Sequence, residues 1–421
     1  MARGPRRTSR SRAREEALAA AAGVSVPARC DVCVIGGGAS GLVAATVAAE
    51  AGASVTVLER AVECGRTILA TGNGRCNLMN AALRGPAPAW ERYNEPEFVA
   101  AVCGPGFGDD ALAFLEGCGL AWAEEEGGRL YPLSRQASSV REVLLARARR
   151  AGVVLAPARE VTGVATGADG WHVAYEGTGA EAGPAAGTLV ARSVVLAAGG
   201  GEGLTRSLGL ACAPYEPVLC SLACAPEDGR LDLGALDGRR AHVVARLLRD
   251  GAELAREAGE VLFRPYGLSG IVVFDLSRLA RPGDVAALDL TCGMDRDLAR
   301  RLVASAGGSA AGVLDPRLAG ALGGANCADA LERAFDLRFV VSGPAEPERA
   351  QVARGGLLVS QFDPATLAAR EVAGLFACGE ALDVDAACGG FNLAWAWRSG
   401  LVAGRAAART ASAGTHRASA E

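Results

Sequence analysis

The 421-residue chain contains no lysine, so all 43 of its basic residues are arginine. That excludes the phosphate-loop lysine of Walker-type nucleotide hydrolases, the ATP-binding lysine of kinases and any Schiff-base lysine. Histidine is nearly absent: His172, His242 and His416 are the full set. None stands in a His-x-Glu or Glu-x-x-His pair, which leaves little for a zinc hydrolase or a histidine-based triad. No apolar run is long enough to span a bilayer. Net charge is −4, which argues against a nucleic-acid partner. The basic residues are also uneven. Six arginines fall in the first 14 positions, followed by Glu15 and Glu16, and the remainder carries 37 arginines against 45 acids. Those two glutamates also interrupt what would otherwise look like a signal peptide, so residues 1–28 read as a basic tail without regular structure.

Half the residues are hydrophobic and 21% are charged, the balance of a folded chain with a substantial core. The length allows two to four domains or one large one. Thirteen cysteines form an odd, scattered set, which suits reduced thiols in a cytoplasmic setting better than a disulfide framework. Cys30 and Cys33 are spaced as C-x-x-C, but on a strand such residues face opposite sides. They read as two buried thiols, and nothing else suggests a metal site.

Residues 30–35 form a short apolar run, 36–41 (GGGASG) a glycine turn, 41–51 a helix of small residues, and 54–58 a second strand ending at Glu59. This is a complete β-α-β unit. The spacing G-x-G-x-x-G falls at Gly36, Gly38 and Gly41. In this context the first glycine permits the tight turn, the second lets a pyrophosphate approach, and the third allows close helix–sheet packing. The helix N-terminus offers unpaired N–H groups to phosphates. Glu59 stands where a carboxylate accepts from ribose hydroxyls, favouring FAD or NAD over NADP.

Further along, helices are expected at 109–118 and 139–151, strands at 153–165, 171–175 and 189–198, and a flexible Gly/Ala loop at 177–187. Residues 204–350 change character. Short β-like runs at 218–224, 242–249, 261–263, 271–276 and 285–290 precede a helix-rich stretch at 295–338, as in an inserted module. Then GLFACGE (374–380) reads as a strand ending in an acid, and Gly389 and Gly390 open a long apolar helix near Asn392. A helix N-terminus there would stabilise negative charge on a flavin pyrimidine, and VVLAAGGG (194–201) suits the close of a first half-domain. The late strand resembles the G-L-F-A-x-G-D/E strand of many FAD proteins, which favours FAD over NAD. No second G-x-G-x-x-G is present for NAD(P)H, which is a plausible electron donor. The resulting fold class is α/β: a two-part Rossmann-like FAD-binding domain, 29–203 and 351–410, with an inserted module, part β and part helical, at 204–350. A second tail is expected at 411–421.

Four stretches carry a family resemblance: RTILATGNGRCNLMN (66–80), GGRLYPLSRQASSVREVL (127–144), GEVLFRPYGLSG (259–270) and GEALDVDAACGGFNLAWAWRSGLVAG (379–404). The chain resembles the BaiN-like flavoproteins, also labelled aminoacetone oxidase family FAD-binding proteins, from about Cys30 to about Ala408. The resemblance implies that the insert at 204–350 is a β-barrel with a small helical module, and that the loop Gly72–Asn77 lies along the isoalloxazine, with Arg75 favouring anionic reduced flavin and Cys76 and Asn77 nearby. Gly36, Gly38, Ala39, Ser40, Gly41, Glu59, Arg60, Gly72, Gly74, Arg75, Cys76, Asn77 and Val161 would contact the cofactor. So would Ala198, Gly199, Gly379, Glu380, Asp385, Gly390, Asn392 and Leu393. Two departures stand out. The loop after residue 198 is short, and Arg264-Pro265 replaces the family's usual Thr-His.

A flavin supplies redox chemistry itself, so no protein nucleophile is required. Cys64 and Cys76 are too far apart for a disulfide-reductase pair. Tyr131 and Tyr266 are candidate proton donors only through the family-like motifs they sit in, and packing with a satisfied hydroxyl is the better account of each; no catalytic residue is assigned. The implied activity passes hydride between flavin N5 and a small organic substrate. Reduction of a conjugated C=C bond and oxidation of an amine both remain open, as does a non-catalytic redox sensor. An RNA-modifying flavoprotein would need a basic face that this composition does not offer.

Overall fold

The computed structural model describes residues 9–104, 106–178, 186–199, 203–204, 208–323 and 327–418. The chain divides into two compact units. One comprises Met1–Tyr215 and Ala353–Glu421, the other Glu216–Val352.

The first unit begins with helix α1 (Ser9–Ala22), in the segment expected to lack regular structure. Its alanine run has high helix propensity, and Arg12 pairs with Glu16 one turn on. Ala21 is buried, and the Arg159 guanidinium donates to the Val24 carbonyl at 3.1 Å. Tertiary contacts thus tie this segment down. Strand β1 (Arg29–Ile35), helix α2 (Ala39–Glu50) and strand β2 (Val55–Leu58) form the β-α-β unit. Next come β3 (Met79–Asn80), α3 (Pro96–Cys103), α4 (Phe107–Gly117), β4 (Trp122–Glu125), β5 (Arg129–Pro132) and α5 (Ala137–Arg150). Strands β6 (Val154–Ala156), β7 (Arg159–Gly167), β8 (Gly170–Gly177), β9 (Gly187–Leu196) and β10 (Cys212–Val218) complete this half. Of the loop expected at 177–187, residues 179–185 lie outside the described residues, as do 200–202 and 205–207 of the short loop after residue 198.

The second unit is built on β11 (Ser221–Pro226), β12 (Arg240–Arg249), β13 (Ala252–Arg264), β14 (Gly267–Ser269), β15 (Val285–Asp289) and β16 (Leu337–Ala345). They close into a barrel in the order β11-β14-β13-β12-β15-β16. Closure leaves no unpaired sheet edge. Phe263, Phe339, Leu247 and Leu268 fill the interior. The run 271–276 is not a strand but helix α6 (Ile271–Ser277). Its β-branched residues misled the strand expectation. Gly270 turns at φ +99, and Val272, Val273 and Leu276 then share one buried helical face. Helices α7 (Arg296–Ser305), α8 (Pro316–Gly323) and α9 (Cys327–Ala334) supply the helical module.

The chain returns through β17 (Val352–Leu357), which pairs with β10, to β18 (Leu375–Ala377) and α10 (Phe391–Ala418). The second tail is therefore mostly helix, since α10 continues to Ala418. The unit boundaries fall at 215/216 and 352/353 rather than at 203/204 and 350/351. The main sheet of the first unit runs β6-β2-β1-β9-β8-β7, with β18 parallel to β9. Helices α2 and α10 pack closely because α10 presents glycines to α2. A Cβ at Gly400 would lie 2.5 Å from the Ser40 carbonyl oxygen, and one at Gly404 2.3 Å from that of Ala44.

Candidate functional site

The strand–turn–helix at 35–41 closes as its spacing predicts. Gly36 has φ +105, and a Cβ there would sit 2.7 Å from the Ala197 carbonyl oxygen; Ala198 N is 3.0 Å away. A Cβ at Gly41 would sit 1.9 Å from the Gly36 oxygen. Neither position can carry a side chain without moving backbone. Gly38 differs: a Cβ there would meet only Thr67 Oγ1, at 3.5 Å. As N-cap of α2 it has no side-chain acceptor for the first-turn N–H groups. Those groups, from Ala39 onward, are open to an anion. Glu59 Oε2 accepts from Gly37 N at 2.6 Å, and Oε1 from Ala61 N at 2.7 Å. A carboxylate has about four lone-pair sites, so acceptor capacity remains for hydroxyl donors.

The loop Gly72–Asn77 is held in an unusual backbone. Gly72, Asn73, Gly74 and Cys76 all have left-handed φ, between +55 and +82. For Asn73 and Cys76 such conformations cost about 1 kcal/mol or more, and they persist where surrounding structure fixes them. Cys76 is fully buried, and desolvation pushes its thiol up to about 11, opposed by a hydrogen bond with Thr71. Burial likewise pushes Cys64 up to about 12. Neither is a ready thiolate, so Cys76→Ala should leave flavin reduction by a nicotinamide intact in a stopped-flow assay. Asn77 Oδ1 is buried without a hydrogen-bond partner. Arg75 is held by Glu125 through two bonds of 2.7 and 2.8 Å and stacks over the Tyr131 ring, 4.3 Å from its centroid. Desolvation works against Glu125, but hydrogen bonds from Arg135 and Arg75 outweigh it and keep the carboxyl below its ordinary range. Arg75 is thus a positioned cation.

The late strand and helix meet both loops. Gly379 has φ +62, and a Cβ there would lie 2.3 Å from Ser40 Oγ, which sets β18's end against the start of α2. Glu380 lies against Gly199, whose Cβ would be 2.9 Å from that of Glu380. Gly390, at φ +101, abuts the Met79 carbonyl, and its Cβ would be 2.8 Å from Asn77 Oδ1. Asn392 is committed to the backbone: Oδ1 accepts from Ala386 N and Nδ2 donates to Ala386 O, at 2.9 and 2.8 Å. Asn94 grips Asp385 through its main-chain N–H. Leu393 is half-buried beside these residues in the first turn.

Burial, reinforced by the Asp385 charge, pushes the Glu380 carboxyl up to about 7. The folded state then binds a proton that the unfolded state releases near its ordinary value. The stability this proton contributes is fully present below about pH 4.5 and is lost as pH rises toward 7. In flavin-free protein, urea midpoints should fall across that window, and Glu380→Gln should flatten the fall.

Three positioning residues escaped the sequence reading. Trp397 Nε1 donates to Leu78 O at 2.9 Å, Trp395 Nε1 to Gly379 O at 3.1 Å, and Ser399 Oγ accepts from Gly379 N at 2.9 Å. Two sides of α10 therefore hold the two loops: Trp395 and Ser399, one turn apart, fix Gly379, and Trp397 fixes Leu78. Tryptophans at i and i+2 on an apolar helix gave no signal beyond core packing. Two expected residues are less central. The Arg60 side chain is exposed, while Val161 lies on β7, whose first residue donates from Arg159 N to Glu59 O. His172 pairs with Asp169 at the surface, and His242 is exposed on β12. Among the described residues no cluster could hold a metal ion, twelve of the cysteines are free thiols, and no single helix is long and apolar enough to cross a membrane.

Residues 30–406 match the family described as the HI0933-like protein Rossmann domain. The 3-dehydro-bile acid delta(4,6)-reductase of Clostridium scindens is 32% identical over 420 residues, covering 89% of this chain and 98% of its own length. The ribosomal RNA dihydrouridine synthase of Escherichia coli is 25% identical over 404 residues, covering 88% and 96%. Among solved structures, the open conformation of a flavocytochrome c3 fumarate reductase aligns with a TM-score of 0.50 at 16% identity, over 98% of this chain and 83% of that one. That last likeness is one of fold.

Proposed function

The chain belongs to the HI0933-like Rossmann-domain family, and we propose that this flavin-dependent oxidoreductase uses FAD to reduce a C=C bond conjugated to a carbonyl in a small organic substrate, with NAD(P)H as donor. The observation that carries the reading is the 32% identity to a bile-acid delta(4,6)-reductase over 98% of that protein. The Escherichia coli ribosomal RNA dihydrouridine synthase supports the same reaction type, since dihydrouridine is uridine with its ring C=C bond saturated.

The first unit fits FAD on its own features. The uncapped start of α2 would take the pyrophosphate, with Gly38 open above it. Glu59 would accept from the ribose hydroxyls. Glu380, against Gly199, suits a neighbouring polyol as a carboxyl able to donate or accept. Asn77 Oδ1, buried and unpartnered, offers an acceptor beside the start of α10. The partial positive charge of that helix end favours an electron-rich ring, and Arg75 adds a cation fixed by Glu125 and Tyr131. Bound FAD supplies the hydride chemistry. The chain's own residues orient it, exclude water through the buried 76–79 loop, and bias its charge.

We take the substrate to be a small molecule rather than RNA, because beyond residue 16 the acids outnumber the arginines and polyphosphate binding depends on basic contacts. The free thiols fit a reducing, cytoplasmic setting. The test is product analysis. With NADH or NADPH, a 3-oxo-4-ene steroid should gain two hydrogens, while amines should draw no oxygen consumption. Amine-dependent oxygen uptake without enone reduction would overturn the reading, and reduction of uridine in ribosomal RNA alone would overturn its small-molecule part.

A further inference from the structure

The barrel unit contains a cavity of about 230 Å³ lined wholly by its own residues. It opens where four strands converge. Ser221 of β11 pairs with Ala345 of β16, and Ser269 of β14 pairs with Leu262 of β13. The wall has two characters. Leu262, Phe274 and Ala345 give an apolar side. The other side is a polar cluster. Ser221 Oγ donates to Ser269 Oγ at 2.8 Å, and both serines are more than nine-tenths buried. Tyr266 OH donates to Glu346 Oε2 at 2.9 Å, and Arg349 pairs with Glu346 Oε1 at 2.9 Å. Both Glu346 oxygens are thereby engaged and its charge is matched. Glu346 holds this position with a left-handed φ of +50, a conformation that surrounding structure must stabilise.

Arg264 completes the wall. Its Nε is buried without a hydrogen-bond partner, with Asp237 Oδ1 3.5 Å away, beyond good hydrogen-bond length. Its guanidinium carbon lies 5.7 Å from the Tyr266 ring centroid. A guanidinium presents five donors in a rigid fork suited to a carboxylate. The wall therefore offers one buried donor without a hydrogen bond, Arg264 Nε, beside an apolar surface. Arg264 is also the residue where this chain departs from the Thr-His of the family it resembles.

We propose that this cavity is a binding site for the carboxylate group of an apolar acid, held by the Arg264 guanidinium. The site does not rest on the reductase reading.

The direct test is calorimetric titration of the full-length holoprotein with adamantane-1-carboxylate and with the uncharged adamantane-1-carboxamide. A charge-assisted bidentate contact should make the acid bind about tenfold tighter or more. Arg264→Gln should reduce the preference to near parity, with flavin content unchanged. Arg349→Gln should also weaken the acid by leaving Glu346 unmatched, and it serves if Arg264→Gln fails to fold. Equal affinity for acid and amide, no binding of the acid, or an undiminished preference in a folded Arg264→Gln protein would each overturn the site.

Discussion

Gly41→Ala protein should be recovered without flavin, whereas Gly38→Ala protein should fold normally yet bind FAD weakly. The added methyl group is the same in both; its surroundings differ. At Gly41 it would lie 1.9 Å from the Gly36 carbonyl oxygen, so the turn must open or α2 must move away. Overpacking against backbone costs about 3 kcal/mol or more, and the turn it distorts presents the helix N-terminus. At Gly38 the methyl meets only Thr67 Oγ1, at 3.5 Å, and the backbone, at φ −78, suits any residue. Folding should lose under about 1 kcal/mol there. Any large loss of FAD affinity in Gly38→Ala therefore reports the ligand itself, seated where the Cβ would stand. Melting temperature and FAD fluorescence titration on both proteins check this. Gly38→Ala protein with full FAD affinity would mean that no pyrophosphate crosses the turn.

The second large effect is expected at Glu59. Its carboxylate binds Gly37 N and Ala61 N at 2.6 and 2.7 Å, fixing the turn and its own orientation. Hydrogen bonds to a charged group contribute about 1.5–3 kcal/mol each. Removing the carboxylate also removes the acceptor for the ribose hydroxyls. Glu59→Ala should raise the Kd for FAD by about a hundredfold, corresponding to about 2.7 kcal/mol. Glu59→Gln keeps an acceptor oxygen and should lose much less. Equal losses in the two proteins would show that charge, rather than acceptor geometry, matters; no loss in either would remove Glu59 from the cofactor site.

The parts of the fold that were legible from sequence rest on short-range rules. The glycines at 36 and 41 announced their turn because only glycine meets its steric demands there, and Gly38 between them completes the spacing. The late GLFACGE strand and paired glycines before α10 were readable from their local pattern, and both Gly379 and Gly390 sit at positive φ, the first against the Ser40 side chain and the second against the Met79 backbone. What stayed hidden depends on tertiary partners. Residues 271–276 read as a strand by composition, yet Gly270 turns the chain out of the barrel and the residues pack as a helix. The arginine-rich start read as tail because its helix draws on remote contacts, such as Arg159 with Val24. Arg75 could be singled out, but not its capture by Glu125, which sits in an acidic run that reads as a solvated face. Trp395, Trp397 and Ser399 looked like core, and they are; their hydrogen bonds to Gly379 and Leu78 make that core part of the site. Arg264 was visible only as a departure from a pattern. Its meaning depends on the cavity that Tyr266, Ser221 and Ser269 share with it.

The central claim, a flavin-dependent reductase of conjugated C=C bonds, is tested most directly by two anaerobic half-reactions followed in the flavin absorbance bands. The purified protein should show those bands, and NADH or NADPH should bleach them. A 3-oxo-4-ene steroid mixed with the bleached enzyme should then restore the bands and emerge saturated. Bands that bleach with neither nicotinamide, or that return with oxygen but never with an enone, would contradict the account.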